Sequence, residues 1–120
     1  MGRLVEGSVN RLAFDYGVEF VVDGAMIRIE GIGTIEDADG RLSFDAEQST
    51  SYGKKVLGLL GKSVEVDVRG SVLVIRAVGG SERIEVPSSD EYEAWSLVKL
   101  DGSRIVCTVG GQLASWPASS

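Results

Sequence analysis

Between "GVEFVV" and "AMIRIE" the chain carries Asp23-Gly24, a pair suited to the positive φ angles of a two-residue hairpin turn, and no other local signal constrains the fold as strongly. Turn and alternation agree on one register, with Val22 opposite Ala25, Phe20 opposite Ile27 and Val18 opposite Ile29 on a single apolar face. The other face sets Glu19 against Arg28, an opposite-charge cross-strand pair worth about 0.2–1 kcal/mol. Upstream, Leu12, Phe14 and Tyr16 occur at every second position and predict a strand that meets the hairpin near Gly17.

The segment "KSVEVDVRGSVLVIRAV" repeats this logic. A type II′ loop at Gly70-Ser71 sets Val68 against Leu73, Val66 against Ile75 and Val64 against Ala77, while Val72 and Val74 fall on the opposite face, so this strand reads as covered on both sides. "RLSFD" and "ERIEV", the latter ended by Pro87, add short strands. The one helical patch is "STSYGKKVLGLLGKS": Ser49, Thr50 or Ser51 would cap it, Val56, Leu57, Leu59 and Leu60 would form its apolar stripe, and Gly61 would end it. Gly53 and Gly58 weaken such a helix, so its leucines are expected to pack on a sheet. The whole reads as a mainly β protein, an antiparallel sandwich or partly open barrel of about nine strands with one short helix near residues 51–60.

The 120 residues suit a single domain, 1–120, with 117–120 as a short C-terminal tail. Eighteen acidic against 12 basic residues, a net charge of −6, argue against nucleic acid or an anionic membrane as partner. No run approaches the roughly 18 apolar residues of a membrane helix. "MGRLVEG" lacks the core of a signal peptide, and Glu6 stands where a myristoylation motif needs Ser or Thr. Cys107 has no partner for an internal disulfide and reads as a small buried hydrophobe, which fits a cytoplasmic protein.

Several motifs fail when their spacing is counted. "GLLGKS" imitates a P-loop, but Val56 occupies the position of the required first glycine and the lysine follows a helix instead of opening one. "IEDADGRLSFDAE" imitates a calcium loop, yet with Asp37, Asp39 and Gly40 at positions three, five and six, Ile35 and Ala46 replace two carboxylate ligands. The chain has no histidine, which removes the usual base or ligand of Ser-His-Asp, Cys-His and zinc-hydrolase sites. Carboxylate pairs such as Glu91 with Glu93, or Glu30 with Glu36, resemble surface charge more than an acid–base pair. No catalytic residue, metal site or cofactor is assigned.

At residues 92–116 both tryptophans and the lone cysteine fall in one pattern: Tyr92-Glu93-Ala94-Trp95, Asp101-Gly102, Val106-Cys107, Gly110-Gly111, Leu113-Ala114 and Trp116. This pattern resembles a small bacterial, largely actinobacterial family of uncharacterised proteins, a domain of unknown function. Val109 stands in place of that family's usual proline and Gln112 in place of an acidic residue. The resemblance implies a shared fold and no activity.

A turn at Asp101-Gly102 would oppose Val98 with Ile105 and Ser96 with Cys107, but it would also oppose Lys99 with Arg104, which a three-residue loop with a bulge would relieve. Gly110-Gly111 permits a reversal that would bring Trp116 back towards Trp95. Trp95 reads as core, and Tyr92, Gln112 and Trp116 are the candidate partner-binding positions. The leading reading is a non-catalytic protein-interaction module. The alternatives are an immunity- or antitoxin-like protein covering a basic toxin, and an enzyme using carboxylates or an unseen cofactor. A homodimer through an exposed sheet edge is compatible with so many strands.

Overall fold

The computed structural model describes residues 3–117. Its eleven strands are β1 (Arg3–Phe14), β2 (Val18–Val22), β3 (Ala25–Ile29), β4 (Ile32–Asp37), β5 (Gly40–Asp45), β6 (Ser63–Arg69), β7 (Val72–Ala77), β8 (Arg83–Val86), β9 (Trp95–Val98), β10 (Arg104–Cys107) and β11 (Leu113–Trp116), with one helix, α1 (Ser49–Leu57). All pairings are antiparallel, in the order β11-β10-β9-β3-β2-β1-β6-β7-β8-β4-β5, and the sheet does not close into a barrel. The mainly β antiparallel architecture with one short helix is as expected. The strand count is higher because Ile32–Asp37 forms a strand, β4, beside the expected "RLSFD" strand, and "QLASW" forms β11. Of the expected C-terminal tail, Ala118 to Ser120 lie outside the described residues.

Both expected hairpins form in the expected register. Val18, Phe20 and Val22 face Ile29, Ile27 and Ala25, and Asp23 and Gly24 both take positive φ, 45° and 92°. Val64, Val66 and Val68 face Ala77, Ile75 and Leu73, with Gly70 at φ 61°. Glu19 does lie opposite Arg28, but the Arg28 guanidinium turns away along its own face to Asp15 at 2.7 Å and Glu30 at 3.0 Å. Tyr16 does not continue β1: it stands in the exposed turn after Phe14.

β1 makes the sheet a sandwich. Its first half pairs with β6 from Arg3 to Ser8, its second half with β2 from Val9 to Phe14, so the strand passes from one half-sheet to the other and the two apolar faces fold onto one core. That core joins Phe20, Ile27, Ile29, Trp95 and Leu97 from one half with Val66, Leu73, Ile75, Ile84 and Phe44 from the other. The Trp95 Nε1–H ties the halves directly, donating to the Ser71 carbonyl at 3.0 Å. At the crossing, the Asp23 carboxylate accepts from Ser8 N–H at 3.0 Å and the Asn10 side-chain oxygen from Asp23 N–H at 2.8 Å. A Cβ on Gly7 would sit 2.2 Å from that carboxylate, and one on Gly17 only 2.4 Å from the Ile29 carbonyl oxygen, so both glycines are required by close approach.

α1 begins two residues earlier than expected and ends before Gly58. No side chain caps it; the Ser51 hydroxyl instead donates back to the Gln48 carbonyl at 2.8 Å. Its buried face is Tyr52, Val56 and the following Leu59, spaced by one turn, while Leu57 and Leu60 point outward and are half exposed. Tyr52 decides this orientation. Its ring lies 4.7 Å from Phe44 and 6.2 Å from Phe14, centroid to centroid, and its hydroxyl donates to the Ala46 carbonyl at 2.5 Å.

Two sets of variants test this packing. Gly17→Ala forces a Cβ against backbone and should cost about 1–3 kcal/mol, whereas Gly53→Ala, whose Cβ would make an ordinary 3.9 Å contact with Phe14, should gain about 0.5–1 kcal/mol in α1. Urea unfolding at pH 7 reads both. Burial, reinforced by the Asp45 charge, pushes the Tyr52 phenol up to about 12 from its ordinary value of about 10. The unfolded chain therefore ionises it first, and its contribution, complete below pH 10, is lost as pH rises to about 12. Tyr52→Phe should cost about 1 kcal/mol at pH 7, and the gap from wild type should shrink as pH rises from about 10 towards about 12.

Candidate functional site

Alternate residues of a strand lie on opposite faces, so the pairing that builds the core also assembles the outer face of the β1, β2, β3, β9, β10 and β11 half. Successive registers align one row across all six strands: Arg11 beside Val21, Val21 beside Met26, Met26 beside Val98, Val98 beside Arg104, and Arg104 beside Trp116. At about 4.8 Å per strand the row runs about 24 Å. Val106 and Ala114 flank its β11 end on the same face. Met26 is 45% exposed between half-buried Val21 and Val98, so an apolar strip opens to solvent between the two arginines, and Trp116, 51% exposed, extends it beyond Arg104. The Arg104 guanidinium sits 5.5 Å from the Trp116 ring centroid, a cation–π contact that holds the indole against the face.

The strip ends at a free sheet edge. Thr108 N–H donates to the Gln112 carbonyl at 2.8 Å, and hydrogen-bonded pairs alternate along an antiparallel ladder. Ala114 and Trp116 therefore bond back to β10, whereas the N–H and C=O groups of Leu113 and Ser115 face away from the sheet. Nothing in Leu113–Trp116 is charged.

The three candidate positions do not converge. Gln112 is exposed just before β11 and Trp116 at its end, on one face by alternation. Tyr92 is half-buried before β9, with a ring carbon 3.4 Å from where a Cβ on Gly31 would stand. Trp116 aligns with Val98, at the other end of β9. Nor does Trp116 approach Trp95, as the sequence suggested: β11 does add beside β10, but Trp95 lies on the core face and Trp116 on the outer one. The β9–β10 register is one residue off the two-residue expectation, with Val98 opposite Arg104 and Trp95 opposite Cys107. The chain takes the three-residue loop, Leu100 to Gly102 with Gly102 at φ 89°, so Lys99 avoids Arg104. Val21, Met26, Val98, Arg11 and Arg104 were missed, although the Asp23-Gly24 register that pairs Phe20 with Ile27 equally pairs Val21 with Met26.

An open cleft of about 530 Å³ lies at the hairpin-turn end, lined by apolar Val5, Val22, Ala25 and Leu100 and by the side chains of Glu6, Asp23, Lys99 and Asp101. Its turn carboxylates are already engaged. Asp23 holds the Ser8 amide, and Asp101 accepts from the Ser103 hydroxyl at 2.6 Å and amide at 2.8 Å, bonds that keep its carboxyl below the usual range. Cys107 is buried with its Sγ 3.7 Å from the Ser71 carbonyl, and burial pushes its thiol up, away from the thiolate a nucleophile needs. Among the described residues, no group of three His, Cys, Asp or Glu side chains is placed to hold a metal, and no helix is long and apolar enough to cross a membrane.

Residues 2–117 match the Family of unknown function (DUF6188). The chain belongs to this family. The DUF6188 match spans every described strand, so both half-sheets are part of the family domain. No curated protein and no solved structure gives a significant match to the chain.

The two indoles give this DUF6188 member a direct optical test. Trp116→Phe should leave a single blue-shifted emission from buried Trp95 that acrylamide barely quenches, whereas in wild type roughly the Trp116 share of the signal is red-shifted and quenchable.

Proposed function

We propose that this chain is a non-catalytic protein-interaction module whose partner covers the outer face of the β1-β2-β3-β9-β10-β11 half. The observation that carries the reading is the state of two arginines. Arg28, Arg69, Arg76 and Arg83 each have a carboxylate within 4.0 Å, but Arg11, Arg104 and, on β5 of the other half-sheet, Arg41 have none among the described residues, although the chain has 18 acidic side chains against 12 basic ones; what sets Arg11 and Arg104 apart is that they share one cross-strand row. These two bracket Val21, Met26 and Val98. An apolar strip with an unpaired cation towards each end is complementary to a protein surface that offers apolar side chains flanked by carboxylates. Trp116 and Arg104 are also the residue types that most often anchor such contacts.

The immunity- or antitoxin-like alternative draws on small size and net acidity, and the chemistry of this strip favours a partner with carboxylates instead of a basic surface. The lone buried thiol is consistent with a reducing, cytoplasmic setting, and the C-terminal resemblance with a bacterial, largely actinobacterial one. The test is affinity capture from the native cytosol followed by identification of bound proteins, using wild type and Met26→Asp, which alters the strip away from the sheet edge. A defined partner that binds wild type and falls at least tenfold with Met26→Asp is expected. Capture of nothing by wild type, or of the same proteins by both, overturns the reading.

A further inference from the structure

We propose that β11 receives an extended segment of a different protein as a twelfth strand, and that this segment alternates apolar and acidic side chains. The inference deepens the interaction-module reading and rests on it. Three observations converge on this edge. Leu113 and Ser115 turn their backbone donors and acceptors outward, the strand Leu113–Trp116 carries no charge to repel a neighbour, and the unpaired Arg104 guanidinium lies over Trp116 at the outer face. Uncharged edges of this kind are what soluble proteins usually protect. The opposite edge, β5, is protected: it carries Arg41 and Asp45 and abuts α1.

The ladder dictates the chemistry of the incoming segment. Residues opposite Leu113 and Ser115 make the four backbone hydrogen bonds and point to the core side, where Leu113 is half-buried against the cluster. Residues opposite Ala114 and Trp116 are the close, non-hydrogen-bonded pairs on the outer face. Over Ala114 there is room for a large apolar side chain beside the indole. Opposite Trp116 a glutamate reaches the Arg104 guanidinium. Pro117 follows at the next outward-facing position and has no N–H, so the added strand is held by β11 alone and ends there. A second copy of this chain fits less well: each copy brings a net charge of −6, and no carboxylate of β11 answers Arg104.

Ser115→Pro isolates the mechanism, because the Ser115 amide faces away from β10 and its loss breaks no bond within the sheet. Random twelve-residue peptides displayed on phage are selected on the full chain, and the enriched sequences are synthesised and titrated against wild type, Ser115→Pro, Arg104→Glu and Met26→Asp. Expected are enriched peptides with glutamate or aspartate alternating with large apolar residues, at least tenfold weaker binding to Ser115→Pro, and an exchange of acidic for basic peptides when selection is repeated on Arg104→Glu. Peptides that bind Ser115→Pro as well as wild type, or that show no acidic preference, overturn the proposal. So does a wild-type dimer at tens of micromolar by sedimentation that Ser115→Pro dissolves, since a second copy would then be the occupant. Peptides that lose affinity with Met26→Asp but not with Ser115→Pro leave the interaction face standing and remove only the strand addition.

Discussion

A single strand shared by two half-sheets holds this molecule together. β1 gives its first six residues to β6 and its last six to β2, so neither half has a complete ladder without it. The change of partner occurs where Asp23, itself in the first hairpin turn, accepts the Ser8 amide while Asn10 takes the Asp23 amide. One carboxylate and one carboxamide thus fix the angle at which the sheet folds over, and that angle places Phe20 and Ile27 against Val66 and Ile75. The backbone contact at Gly17 and the plug formed by Tyr52 on α1 close the other end of the same core.

What was legible in the sequence was whatever a local signal determined. Asp23-Gly24 and Gly70-Ser71 each specify turn, register and buried face within a dozen residues, and both hairpins form as read. α1 was harder, because Leu57 and Leu60 look like core on hydrophobicity alone. The ring of Tyr52 outweighs them by filling the gap between Phe14 and Phe44, residues that become neighbours only after folding. The β9–β10 loop shows the two kinds of signal in conflict. Asp101-Gly102 favours a two-residue turn, while the repulsion of Lys99 and Arg104 in that register favours one residue more, and the repulsion wins. Strand order was illegible for the same reason that β3 beside β9 and β4 beside β8 are distant in sequence.

The candidate site divides in the same way. Gln112 could be nominated as a departure from the resembled family's acidic residue and Trp116 from its place near the terminus; Gln112 immediately precedes β11 and Trp116 ends it. Tyr92 could not be placed, since its neighbour Gly31 belongs to the link between the half-sheets. The strip itself was partly written in the first hairpin, where Val21 and Met26 sit on a face that Glu19 and Arg28 make look fully polar. Val98 and Arg104 join them only through the long-range pairing of β3 with β9. Surface chemistry assembled by register across distant strands is invisible to any reading confined to one hairpin.

The order in which these strands leave the ribosome follows from the topology. β1, β2 and β3 are made first, yet the partner that covers β1 is β6 and the partner that covers β3 is β9. Until β6 is made the nascent meander therefore has two bare edges, and until β9 is made the edge of β3 stays bare. Only when β9 has cleared the exit tunnel can the N-terminal strands reach their final neighbours. Until those long-range pairings form, the exposed apolar face and unpaired strand edges are the features that make a folding chain prone to aggregate.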